Sequence, residues 1–143
     1  MPTFDGNFFP PEYKQFRFNE GDLLASQRKN GKFAVNKVLK IDRVELKKGQ
    51  SISIQGKEFV APEDDYLLIV SAAFGKSEFD SLDEARNAAT SGNWTVEVAH
   101  APNRPPGAAT GQTLIGRAPV TEEELVGYRQ WREAFESGKA GVF

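Results

Sequence analysis

His100 is the only histidine of the chain, and it stands where the alternating residues 94–99 run into the proline-rich stretch 101–111. An imidazole at such a junction is a candidate general base or acid near neutral pH. No Gly-x-Ser-x-Gly elbow accompanies it, and no spacing pairs it with a serine and a carboxylate. His100 therefore reads first as a hydrogen-bonded residue at a strand end, with a small hydrolase or lyase as the alternative. Arg104 and Arg117 flank Gly107-Ala108-Ala109-Thr110-Gly111, and their guanidinium groups are suited to hold a carboxylate or phosphate in fork geometry. The glycine segment matches neither Gly-x-Gly-x-x-Gly nor Gly-x4-Gly-Lys-Ser/Thr and precedes no long helix, so it reads as a loop. Glu63-Asp64-Asp65 has the oxygen donors that calcium prefers but not the regular acidic spacing of a cation loop, and reads as a solvated turn. The chain has no cysteine, which removes thiolate metal sites, disulfides and cysteine nucleophiles together. Neither a cofactor nor a metal is expected.

Charge supplies a second set of candidates. The formal net charge of -2 hides a division after Lys57: 11 Lys/Arg and 6 Asp/Glu precede that boundary, and 7 and 14 follow it. The basic excess lies between Arg28 and Lys48, with Lys32, Lys37, Lys40, Arg43, Lys47 and Lys48 facing only Asp42 and Glu45. Such a ribbon is either an electrostatic footprint for an acidic partner or polyanion, or a solvated hairpin whose lysines keep exposed strands apart. The first nineteen residues add Phe4, Phe8, Phe9, Tyr13, Phe16 and Phe18. Leaving so many rings in water forgoes about 1.5–3 kcal/mol each, so the arm is expected to pack on the domain or to dock a partner.

The elements that must position these residues follow from local pattern. Residues 23–27 read as a strand, and Asn30-Gly31 as a type I′ hairpin turn, which needs two consecutive positive φ values. Phe33, Val35, Leu39 and Ile41 share a parity that Lys37 interrupts, so a long strand with a bulge near Asn36-Lys37 is expected. Ile52 and Ile54 mark a short strand, Gly56-Lys57 a turn, and residues 66–73 form a nearly continuous apolar run typical of a central strand. Ser81 and Glu84 make a capping box for a helix over 82–91, with Gly92 to end it. Residues 94–99 read as a strand, and 113–115 as a short one. Thr121 and Glu124 repeat the capping box for a helix over 122–137, whose interior Gly127 implies close packing or modest stability. Tyr128, Trp131 and Phe135 form its apolar stripe.

Strands first, then helix, strand, loop and helix, point to a single α+β domain over residues 1–143, built on a curved, mainly antiparallel sheet. Its expected parts are an aromatic arm (1–19), a β-rich part (20–75) and a helix-strand-loop-helix part (76–143). The Gly-Asp before the first strand and the Asn-Gly-Lys-Phe before the long one resemble the start of an SH3-like barrel over residues 21–60. That resemblance implies a scaffold and no activity.

With no leader-like N-terminus and no run of 18 apolar residues, a cytoplasmic chain with no membrane segment is expected. Small acidic-leaning domains of this kind include toxin-neutralising immunity proteins and adaptors. The leading expectation is a non-enzymatic domain acting through a protein partner, with Lys32, Lys37, Lys40, Arg43, Lys47, Lys48, Phe8 and Phe9 as contacts. Nucleic-acid binding by the 28–48 hairpin is the alternative, opposed by the acidic remainder of the chain.

Overall fold

A computed structural model describes residues 11–143, so Phe8 and Phe9 lie outside the described residues. A 3-10 turn, Pro11–Tyr13, leads into seven strands and three helices: β1 (Asp22–Gln27), β2 (Phe33–Leu46), β3 (Ser51–Ile54), β4 (Lys57–Val60), β5 (Asp65–Phe79), α1 (Leu82–Ser91), β6 (Val96–Asn103), α2 (Pro105–Ala109), β7 (Gln112–Arg117) and α3 (Val126–Glu136). The fold is mixed α+β with antiparallel strand pairing. Five strands form one sheet in the order β6-β5-β2-β1-β7, and β3-β4 form a separate pair. The sheet is open, with β6 and β7 as its edges, so the barrel closure implied for residues 21–60 is not found among the described residues. No helix of the described residues is long and apolar enough to cross a membrane.

β2 and β5 form the spine. Their pairing shifts register between Ala34 and Asn36 and again between Val38 and Lys40, two irregularities on either side of the single bulge expected near Asn36-Lys37. The second shift puts Lys37 on the same face of the sheet as Lys40, Asp42 and Val44, because the extra residue, Leu39, reverses the strict alternation that the pleat imposes. That face carries α1 at one end, over Leu23, Ala25, Val35 and Ile115. At its other end α3, the β3-β4 pair and Val142 close over Val44, Leu46, Leu67 and Ile69. The opposite face is covered by Phe16, Phe18 and α2 over Leu24, Val38 and Val70, so this part of the aromatic arm packs on the domain.

Three local expectations need correction. Asn30 does not take positive φ; Gly31 alone does, and Gly31 N–H donates to Arg28 C=O, so the β1-β2 turn is an ordinary tight turn followed by one left-handed glycine. The turn with two positive φ values is Gln55-Gly56, joining β3 to β4. The proline-rich stretch 101–111, a loop by its composition, is mostly regular: β6 runs to Asn103, and the paired prolines at the first helical positions start α2, where a missing N–H costs nothing. The capping box of the last helix forms, with Thr121 N–H donating to Glu124 Oε1 and Glu124 N–H donating to Thr121 Oγ1, but residues 122–125 close as turns and regular α3 begins at Val126.

Candidate functional site

β5 places Ser71 and β6 places His100 side by side, and the His100 Nε2 to Ser71 Oγ distance is 2.8 Å. α3 lies on top of them: a Cβ at Gly127 would meet His100 Cβ at 3.0 Å, so glycine is what lets the helix approach. The Tyr128 and Trp131 rings flank the imidazole at 6.0 and 5.5 Å between centroids. Burial under these rings pushes the His100 pKa down to about 4, so the imidazole is neutral at neutral pH. His100 is hydrogen-bonded, but it lies inside β6, three residues before its end, rather than at the strand terminus expected from sequence. A hydrolytic role asks more: Ser71 is fully buried, and among the described residues His100 makes no hydrogen bond to a carboxylate, while Asp42 accepts from Tyr128 Oη at 3.0 Å through one oxygen and keeps the other buried without a partner. Burial and Asp42 together push the Tyr128 pKa up to about 12.

The cationic candidates are dispersed, and many are neutralised. Lys37 is corrected from surface to interior: it is 4% exposed, and its ammonium donates to Glu124 Oε1 and Pro119 C=O, both at 2.9 Å. Burial opposes ionisation of Glu124, but the Lys37 ammonium and the Thr121 N–H outweigh it and hold the carboxyl below its ordinary pKa. Lys32 and Lys47 flank opposite ends of the 14-residue β2. Lys32 faces Asp80 at 3.6 Å and Lys47 faces Asp64 at 3.9 Å. Lys48 is exposed beside Lys47, with its backbone N–H on Asp64, and Lys40 is half-buried. Arg43 pairs with Glu45 at 3.2 Å and lies over the Tyr66 ring. No contiguous basic face results.

Arg104 and Arg117 do not converge. They sit on opposite sides of the sheet, four strand spacings or roughly 19 Å apart. Arg117 Nε meets the buried Asp22 at 2.9 Å, while Arg104 donates to Phe143 C=O at 3.1 Å and to Tyr13 Oη at 2.7 Å. Asp65 is likewise buried against Lys14 at 2.9 Å, and no group of three or more potential metal ligands occurs among the described residues.

Two features escaped the sequence reading. A cleft of about 800 Å³ opens between β2, β3 and the C-terminal half of α3, lined by Arg43, Glu45, Gln50, Ser53, Arg132 and Glu136. Arg132 Nε pairs with Glu136 at 2.7 Å and Arg43 with Glu45, while Arg132 Nη1 is buried without a hydrogen-bond partner and Glu58, also on the lining, takes part in no ion pair among the described residues. The other feature is the outer edge of β6, where Val96 to Ala99 are all exposed. The alternation of Val96 and Val98 signalled a strand but not its place at the margin of the sheet. Compared with known proteins, the chain matches no family model, no curated protein and no solved structure.

Proposed function

We propose that the chain is a non-enzymatic domain that acts by binding a protein partner. The observation that carries this reading is the apolar exposure at the sheet margins: Val96, Val98 and Leu114 are 41–44% exposed on the two outermost strands. Exposed apolar side chains beside unpaired backbone suit a polypeptide ligand, which supplies both kinds of contact at once. The basic ribbon supports nucleic-acid binding less well, since phosphate binding draws on a contiguous positive face and these cations are spread along β2 among acids.

Site-specific photo-crosslinking in the native host tests the reading. A photoreactive phenylalanine replaces Val98 in one sample and Leu114 in another, and half of each is treated with nuclease. The expected result is a discrete protein adduct at one edge that survives nuclease. Adducts that disappear with nuclease, or none at either edge, reject it.

A further inference from the structure

The two edges of the sheet are not equivalent, and the difference is made by the chain itself. Phe143 N–H donates to Pro102 C=O at 2.9 Å, and Arg104 N–H donates to Phe143 C=O at 3.0 Å. One end of the outer edge of β6 thus already takes up an extended segment. Beyond that point no strand pairs with this edge among the described residues, and Val96 to Ala99 are exposed. Glu97 is the only carboxylate between Asn93 and Asn103, lies between Val96 and Val98, and takes part in no ion pair among the described residues.

We infer that the outer edge of β6 from Val96 to Ala99 is a strand-addition site for a short extended segment of a protein partner, one that alternates apolar side chains with a lysine or arginine opposite Glu97. The inference rests on the protein-binding reading and names its site and ligand. Main-chain hydrogen bonds to the edge supply affinity and the side chains supply choice. A second copy of this chain fits less well. The pairing of β6 with β5 shifts register between Ala72 and Phe74 and between Phe74 and Gly75, while Pro102 lacks an N–H and Phe143 occupies the far end. The open length is then four residues, about 13 Å.

The probes are three end-blocked pentapeptides, Thr-Val-Lys-Val-Thr, Thr-Val-Glu-Val-Thr and Thr-Val-Lys-Pro-Thr, titrated into the ¹⁵N-labelled full chain. The lysine peptide is expected to shift the amide signals of Val96 to Ala99, with affinity about fivefold above the glutamate peptide. The proline peptide, which lacks a backbone donor, is expected to leave those signals in place. The exposed substitution Glu97→Lys is expected to reverse the order of the first two. Shifts located elsewhere, an equal response to the proline peptide, or no response at millimolar peptide overturn the inference. A nuclease-resistant adduct at Leu114 in the crosslinking experiment, with silent peptides, would remove the β6 site and leave protein binding standing.

Discussion

Under α1 the sheet meets alanines: Ala85 and Ala89 lie buried against Leu23, Val35 and Ile115, and Gly116 lets the helix in, since a Cβ there would meet Thr90 Cγ2 at 2.8 Å. Under α3 the same face meets large rings and polar atoms. Trp131 is buried among Leu67, Ile69 and Val142 and donates from Nε1 to Gly141 C=O at 2.8 Å; Tyr128 reaches Asp42, and Lys37 reaches Glu124. Small residues bring a helix close without fixing its register, because many positions pack equally well. Directional bonds to buried partners select one position, at the cost of leaving groups orphaned when any partner is lost.

Trp131→Ala should separate the two ends most sharply. It removes the ring that Phe135 stacks on at 4.9 Å and frees Gly141, and a loss of about 3–5 kcal/mol in urea denaturation is expected. Lys37→Ala leaves a partly exposed Glu124 without its cation; about 2–3 kcal/mol is expected, below a fully buried pair because Glu124 retains water. A smaller effect should appear with pH. The His100 pKa is lower folded, about 4, than its ordinary 6.5, so the unfolded chain binds the proton first and stability falls as pH drops from about 6.5 toward 4. More than about tenfold in the folding constant should be lost over that window by this group, and His100→Gln should remove that component of the slope while Ala85 variants keep it. At the α1 end, Ser81→Ala removes the cap that accepts from Glu84 N–H at 3.1 Å, and thermal melts should report only about 1 kcal/mol. If Ser81→Ala proved as costly as Trp131→Ala, the contrast between the two ends would be wrong.

The same contrast explains what the sequence revealed. α1 was legible because its signals are local: Ser81, Glu84 and Gly92 state its limits, and Gly92 does take the left-handed conformation at φ 76°. The stripe of α3 and the tight packing implied by Gly127 were legible too. The burial of Lys37 was not, since nothing near it in sequence announces Glu124, 87 residues away. Asn30-Gly31 misled for the opposite reason. Its dipeptide allows a two-residue turn, but the pairing of Gln27 with Phe33 leaves room for a longer loop. Arg104 and Arg117 were read as free ligand-binding cations because their partners, Phe143 and Asp22, come from distant parts of the chain.

The segment from Gly141 to Phe143 joins the two sheets: Val142 N–H donates to Ser53 C=O, Gln55 N–H donates to Val142 C=O, and Phe143 completes the link to β6. Ser53 and Val142 stand almost ninety positions apart in sequence. The β3-β4 pair can close within microseconds through its Gln55-Gly56 turn and packs Ile52 on Val44 and Leu67, which are near in sequence, but it gains a backbone-bonded neighbour only from this distant segment. Contacts of such separation form after local ones, because the entropy of closing the intervening loop is spent before any reward is returned. The backbone seam between the two sheets is thus a contact of long sequence separation, expected to close after the hairpin and its packing on the nearby core have formed.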